Sequence, residues 1–278
     1  MRKLGLIAGG GGLPLALAER CRATGRPLYV LRVAGAADPA LEAYDGAEVA
    51  LGELGRWIKL LRAAQCEAVC MAGQVGRPDI SKLKVDARGL MVLPAALAAA
   101  RKGDDALLRF LVGQFEQEGF TVEGAHEVSG DLTLGAGRQG AVAVPEDEQA
   151  DIEMAFDIAG QIGRLDIGQG VVVCRGLVLA VEAQEGTDAM LARCADLPPT
   201  VRGSSEARKG VLVKRAKPTQ EHRTDLPTIG VRTIQGAARA GLAGVVGEAG
   251  RTLVIDQAEV LAAADRLGLF VFGYSARA

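Results

Sequence analysis

Short apolar runs alternate with helical patterns throughout the first half of this chain. Strand patterns cover Leu4–Ala8, Pro27–Val33 and Ala68–Ala72, with a further one at Phe120–Val128, and helical patterns cover Pro14–Ala23, Leu54–Ala64, Pro94–Arg101 and Asp105–Glu118. Strands that are apolar along their whole length and are followed by helices are typical of a parallel sheet covered on both faces. The first half therefore predicts a Rossmann-like parallel-sheet domain.

The second half begins at a polar, acidic segment that starts with proline, Pro145–Glu148, and continues as a helix to Arg164. Two apolar strands then flank Arg175 and Gly176, which is typical of a tight hairpin and therefore of a mixed sheet. We predict an α/β fold with domains at residues 1–144 and 145–278. The expected elements are strands Gly170–Cys174, Leu177–Ala183, Val211–Val213, Gly244–Val246, Thr252–Ile255 and Leu269–Gly273, and helices Asp188–Cys194, Thr228–Ala240 and Gln257–Leu267.

Composition excludes several classes of protein. The chain has 278 residues, 49% of them hydrophobic and 24% charged, which is typical of a folded protein with two domains. A net charge of -2 and an aromatic content of 4% argue against a nucleic-acid partner. Five cysteines without a C-x-x-C pair indicate reduced thiols in a cytosolic protein, and two histidines are too few for a zinc site.

The first residues superficially resemble a signal peptide, because Arg2 and Lys3 precede an apolar run. The four glycines Gly9–Gly12 interrupt that run, so a buried strand followed by a loop is the better interpretation. No apolar run reaches the roughly 18 residues that a transmembrane helix needs. We therefore expect a cytoplasmic protein, for which peripheral contact with a membrane remains open.

Two loops at strand ends are candidate ligand sites in the first half. The glycine loop, with Gly10 and Gly12, joins a strand to a helix, where backbone amides bind phosphate readily. Its spacing does not match the nicotinamide fingerprint, because Leu15 stands where a third glycine belongs. Gly73 and Gln74 follow another parallel strand and are expected to face the same crevice. The alternatives are a tight turn without ligand and a solvated loop.

Acids and hydroxyls follow a strand in the second half. Glu182, Glu185, Thr187 and Asp188 suit a hard metal ion such as Mg²⁺. The alternative is helix capping, which explains Thr187 but does not explain Glu182 in an apolar strand, since a buried carboxylate needs a partner.

Two lysines and an aspartate follow in the next turns. Lys214 and Lys217 could hold a pyrophosphate, although solvated surface charge is the alternative. Asp225 could bind Mg²⁺ or orient a water molecule, or serve only as a helix cap.

These segments resemble one family along nearly the whole chain. The residues that carry the resemblance are Gly5–Gly9 with Gly12–Pro14, Ala180–Ala183 with Glu185–Asp188, and Lys214 with Lys217, Pro218, Gln220, Arg223 and Asp225–Gly230. In these residues the chain is similar to the UDP-2,3-diacylglucosamine pyrophosphatases of the LpxI type, which belong to lipid A biosynthesis in Gram-negative bacteria.

The resemblance implies hydrolysis of UDP-2,3-diacylglucosamine to UMP and 2,3-diacylglucosamine 1-phosphate (lipid X), with Mg²⁺ or Mn²⁺ as cofactor. It also implies that domain 1–144 binds UDP, that domain 145–278 binds the diacylated sugar phosphate, and that a cytoplasmic homodimer contacts the inner membrane peripherally.

The same resemblance assigns residues. Asp225 matches the family's essential acid and is the expected metal ligand, and Thr187 and Lys214 match the reaction cleft. Glu221 departs from the aspartate expected there, so it is given no role. The residues expected to contact the substrate are Gly10, Gly12, Leu13, Gly73, Gln74, Ser129, Gly130, Lys217, Gln220, Arg223 and Thr228. Two alternatives remain: a hydrolase or transferase acting on another nucleotide sugar, and a non-catalytic protein that binds lipid or nucleotide.

Overall fold

The computed structural model describes residues 1–76, 83–217, 223 and 226–275. The described residues form two compact units: the first holds residues 1–130 and Arg223, and the second holds residues 131–217 and 226–275. The domain limits 1–144 and 145–278 stay a prediction. By its internal contacts, the chain passes from the first unit to the second after Gly130.

The first unit is a parallel five-stranded sheet with helices, as predicted. The strand order is β3-β2-β1-β4-β5, which is the doubly wound order. All five residues of β1 are buried. The elements are β1 Leu4–Ala8, α1 Leu13–Ala23, β2 Leu28–Val33, β3 Gly46–Val49, α2 Leu54–Ala63, β4 Ala68–Ala72, α3 Ala87–Ala100, α4 Asp104–Gln117, β5 Thr121–Val122 and α5 Ala125–Val128.

The second unit has a mixed six-stranded sheet, also as predicted, in the order β6-β13-β11-β9-β7-β8, and a separate parallel pair, β10 and β12. Strands β9, β11 and β13 are parallel, while β6 and β7 run against their neighbours. The elements are β6 Gly137–Arg138, α6 Gln149–Arg164, β7 Gly170–Cys174, β8 Leu177–Val181, α7 Gly186–Ala195, β9 Val211–Lys214, β10 Thr228–Ile229, α8 Val231–Arg239, β11 Gly244–Glu248, β12 Leu253–Val254, α9 Gln257–Leu267 and β13 Phe270–Tyr274.

Successive side chains of β7 point to opposite faces of the sheet and so contribute to the two hydrophobic cores of this unit. Val172 packs with residues of α7, α8 and α9 on one face, whereas Val171 and Val173 pack against α6 on the other. The β7–β8 hairpin turns at Arg175 and Gly176, whose φ angles of 52° and 74° are those of a type I′ turn.

Three predicted elements were wrong in detail. The helix expected at Pro94–Arg101 begins at Ala87, where the Asp86 carboxylate caps it by accepting a hydrogen bond from the amide of Gly89. The strand expected at Phe120–Val128 ends at Val122, because Gly124 starts α5 and its amide donates to the Glu127 carboxylate at 2.6 Å. The helix expected from Thr228 begins at Val231, after β10 and Gly230. The short strands β3 and β6 were not predicted. Among the described residues, no helix is both long enough and apolar enough to cross a bilayer.

Candidate functional site

The loops that follow β1 and β4 meet at the switch point of the first sheet. The chain turns from β1 towards β2 and β3 on one side, and from β4 towards β5 on the other. Gly10 donates its amide to the carbonyl of Gln74 at 2.7 Å, and Gln74 donates its amide to the carbonyl of Gly10 at 2.9 Å. Ligands of open α/β sheets bind at this position, so two predicted loops do come together.

Glycine is required where these loops touch. Gly73 has a φ of +87°, and a Cβ atom there would lie 2.6 Å from the Gly10 carbonyl oxygen. A Cβ atom on Gly9 would lie equally close, 2.6 Å, to the Gln74 carbonyl oxygen. The two backbones can exchange hydrogen bonds only because neither residue has a side chain.

Part of the glycine loop is available to an anion. The amide of Gly10 already donates to the Gln74 carbonyl, and its assignment as a substrate contact stays a prediction. Within the described part of the chain, the amides of Gly11, Gly12 and Leu13 donate to no protein acceptor. These amides precede α1, which has no acid in its first turn and begins with Gly12 as its cap. The N-terminus of a helix in this state favours an anion.

Ser129 and Gly130 follow α5 at the end of the first unit. Ser129 is 2% exposed, and its amide donates to the carbonyl of Ala125 at 3.0 Å. Helix α5 packs against β4 and α1, the elements that carry the two loops. Gly130 opens a short 3-10 helix that runs to Leu132.

A buried polar network lies in the second unit around Lys214, the last residue of β9. Lys214 is 5% exposed, so surface charge does not explain it. Its Nζ donates to Thr187 Oγ1 at 2.9 Å and to the carbonyl oxygen of Thr228 at 2.9 Å. Thr187 Oγ1 in turn donates to Glu182 Oε1 at 2.7 Å. Three predicted site residues, Lys214, Thr187 and Thr228, are therefore brought together.

Thr187 does not cap a helix, which corrects one interpretation of the sequence. Helix α7 starts at Gly186 with Glu185 in the capping position. The hydroxyl of Thr187 points instead at Glu182, whose backbone amide donates to the Gly170 carbonyl at 2.8 Å. The sequence signal for this arrangement was the carboxylate itself, because an acid beside an apolar strand needs a partner.

The other acids of the predicted cluster have different partners. Glu185 forms an ion pair with Arg193 at 2.5 Å, and Asp188 forms one with Arg232 at 3.0 Å. Within residues 1–76, 83–217, 223 and 226–275, no three acids, histidines or cysteines are grouped as metal ligands. The acidic run therefore does not form a metal site by itself.

Of the remaining predicted residues, Lys217 and Arg223 form ion pairs with other acids, and two lie outside the described chain. Lys217 forms an ion pair with Asp166 at 2.6 Å, and it is 13% exposed at its side chain. Arg223 belongs to the first unit, where it forms an ion pair with Glu116 at 2.8 Å. Gln220 and Asp225 lie outside the described residues.

The fold and these sites define a two-domain α/β protein whose first sheet has the doubly wound order and whose second sheet is mixed. A family model described as the LpxI N-terminal domain matches residues 3–132, and one described as the LpxI C-terminal domain matches residues 135–272. A relative from Caulobacter vibrioides, named UDP-2,3-diacylglucosamine pyrophosphatase LpxI, is 63% identical over 273 residues, which is 98% of each chain. The chain belongs to the LpxI family and is an enzyme of the hydrolase class.

Proposed function

We propose that this enzyme hydrolyses the pyrophosphate bond of UDP-2,3-diacylglucosamine and releases UMP and lipid X in lipid A biosynthesis. The observation that carries the proposal is the buried ammonium group of Lys214, held by Thr187 and Thr228 in a chain 63% identical to a named pyrophosphatase of this substrate. A buried cation of this kind suits a substrate that carries several negative charges on neighbouring phosphates.

The residues have separate tasks in the proposed reaction. Lys214 stabilises negative charge on the pyrophosphate as the bond to the leaving phosphate breaks. Thr187 fixes the position of that ammonium group, because its hydroxyl oxygen accepts a hydrogen bond from Lys214 while the hydroxyl itself donates a hydrogen bond to Glu182. The amides of Gly11, Gly12 and Leu13 support the UDP portion, and Gln74, Ser129 and Gly130 belong to the same nucleotide side.

We assign Mg²⁺ or Mn²⁺ as the cofactor. Such an ion suits this substrate, because the neighbouring phosphates offer the oxygen ligands that hard cations prefer and carry the negative charge that they neutralise. Asp225 is the proposed ligand, and Gln220, Lys217 and Arg223 remain proposed substrate contacts. When bound, the cation neutralises phosphate charge and lowers the pKa of a water molecule.

The first experiment incubates the purified protein with UDP-2,3-diacylglucosamine, with Mg²⁺ in one sample and EDTA in the other. Mass spectrometry should find UMP and a diacylglucosamine phosphate only in the Mg²⁺ sample. Repeating the reaction in ¹⁸O-labelled water identifies which product phosphate received the oxygen. Binding of the substrate without turnover under any divalent cation would favour a non-catalytic protein, and turnover of a UDP-sugar without acyl chains would favour another nucleotide sugar.

The proposal includes a homodimer and peripheral membrane contact, and both can be measured. We expect a homodimer, which light scattering after gel filtration would detect as a mass near twice 28.8 kDa. We also expect peripheral contact with the cytoplasmic face of the inner membrane, which co-sedimentation with phospholipid vesicles would detect. A monomer that stays in the supernatant would contradict both expectations without affecting the chemistry.

A further inference from the structure

Glu182 is the member of the polar network that has no assigned role. It lies just after β8, it is 6% exposed, and Oε1 accepts the hydroxyl proton of Thr187 at 2.7 Å. A carboxylate at this depth costs free energy unless a cation or donors compensate it. The cation in this network is Lys214, which is reached through the hydroxyl of Thr187.

The hydrogen bonds along this network have a fixed direction. An ammonium group only donates, so Thr187 Oγ1 must accept from Lys214 and therefore donates its own proton to Glu182. A carboxylate only accepts, so Glu182 is the terminus that sets this direction. Charge-assisted hydrogen bonds at both ends are stronger than neutral ones and fix the rotamer of Thr187.

The backbone around Glu182 is shaped to hold its carboxylate. A Cβ atom on Gly170 would lie 2.5 Å from Glu182 Oε2, and one on Gly168 would lie 2.0 Å from the Glu182 carbonyl oxygen. Gly170 is also the residue of β7 that stands opposite Lys214 of β9 in the sheet register. Two glycines therefore leave room for this acid beside the strand position of the lysine.

We propose that Glu182 is a positioning residue, whose negative charge holds Thr187 and the buried ammonium group of Lys214 in the arrangement that stabilises the reacting pyrophosphate. It acts through Thr187 and does not touch the substrate. This inference rests on the proposed function, since it assigns Glu182 to the pyrophosphatase reaction.

The test compares Glu182→Gln with wild type in the UDP-2,3-diacylglucosamine assay. Gln keeps an oxygen that accepts from Thr187 but removes the charge, so kcat should fall about tenfold to a hundredfold, while KM changes by less than about threefold. The matched control is Glu206→Gln, which removes the same charge at an exposed acid of the same unit, and it should retain wild-type kcat.

A double-mutant cycle separates positioning from general loss of stability. If Glu182 acts through Thr187, adding Glu182→Gln to Thr187→Val should lower kcat by less than about twofold further. Equal losses in both backgrounds would overturn the proposal, because they mean that the two residues act independently. A Glu182→Gln variant that needs more Mg²⁺ for half-maximal activity would also overturn it, because Glu182 would then be a metal ligand.

A Glu182→Gln variant that does not fold needs a substitute. If Glu182→Gln does not fold, as judged by circular dichroism, Gly170→Ala replaces it, because the added methyl group displaces the carboxylate and keeps both charges. It should lower kcat with KM nearly constant, and wild-type kcat would contradict the inference.

The failure of the proposed function and the failure of this inference give different results. If wild-type protein does not turn over the substrate, the proposed function fails first. If wild type is active and Glu182→Gln equals it, the inference alone fails.

Discussion

Among the described residues of the second unit, three carboxylates are buried, and two of them are tied to a point where the chain changes direction. Asp151 accepts the amides of Arg175 and Gly176 at 2.6 and 2.7 Å, which closes the β7–β8 hairpin. Glu148 accepts the amide of Gly210 at 2.9 Å, directly before β9. Glu182 accepts the side-chain hydroxyl of Thr187 instead, so its partner is a side chain of another element.

Glu148 provides a test of stability against pH. Burial raises the pKa of Glu148 above its usual 4.5, and the nearby Asp151 raises the pKa further. A carboxyl whose pKa is raised by folding binds its proton more tightly in the folded state. Its contribution to stability is therefore complete below the unfolded pKa and is lost as pH rises through the folded pKa.

We expect Glu148→Gln to be more stable, relative to wild type, at neutral pH than at acidic pH. The amide side chain keeps an acceptor for the amide of Gly210 and has no charge to desolvate. Urea unfolding at both pH values measures the difference. Glu146→Gln, at an exposed acid of the same 3-10 helix, should show no such pH dependence. A loss of stability for Glu148→Gln that is equal at the two pH values would contradict the assignment.

Among the elements, the contact between the loops that follow β1 and β4 is the feature most sensitive to one added methyl group. Gly73→Ala places a Cβ atom 2.6 Å from the Gly10 carbonyl oxygen at a φ of +87°, so the hydrogen bonds between Gly10 and Gln74 must open. We expect the affinity for UMP, measured by calorimetry, to fall about tenfold or more, which is about 1.4 kcal/mol.

Gly76→Ala is the matched control for Gly73→Ala, because it adds a methyl group in the same loop at a place where no atom of the described residues lies within 4 Å. It should bind UMP as wild type does. Unchanged UMP affinity in Gly73→Ala would show that the glycine contact is not part of the nucleotide site. It would not bear on the polar network of the second unit.

Prediction from sequence succeeded where the residues of one segment carry a clear pattern of their own. β1, β4 and β7 were predicted with the bounds that the structure has, because each is a continuous buried apolar run. The strand β6 was missed because two residues carry no periodic pattern, and they become a strand only by pairing with β13.

Site prediction followed the same division. Thr187 and Lys214 were predicted as site residues from residue type and position near strand ends, and the structure brings the two into contact. Glu182 was marked as an acid in need of a partner. The partnership itself was beyond sequence, because it joins residues from β8, α7 and β9 that meet only in the folded sheet. Gly168 and Gly170 were missed for the same reason, since their closeness to Glu182 depends on the β7–β8 pairing.

At the scale of the whole molecule, the five cysteines report on the integrity of both units. All five are free and buried, with three in the first unit and two in the second. Burial raises the pKa of Cys66 and of Cys194 to about 11, so little thiolate exists at neutral pH. A raised thiol pKa also predicts that stability falls as pH rises beyond the usual thiol value.

We expect native protein to react with iodoacetamide on the order of 100-fold more slowly than protein in urea, where five alkyl groups should be added. Intact-mass spectrometry over time measures both rates. Because each unit carries its own cysteines, the order of labelling shows which unit opens first. Rapid labelling of a single site in native protein would contradict the burial of that residue.

The sheet of the second unit has a consequence for how the chain is made. Its first strand, β6, pairs with its last, β13, which also lies beside β11. On the ribosome, β6 emerges long before its partner has been synthesised, whereas the first unit's sheet has all of its strands once β5 has emerged. The sheet of the first unit can therefore form during translation once β5 has emerged, whereas the sheet of the second unit stays incomplete until β13 has been synthesised.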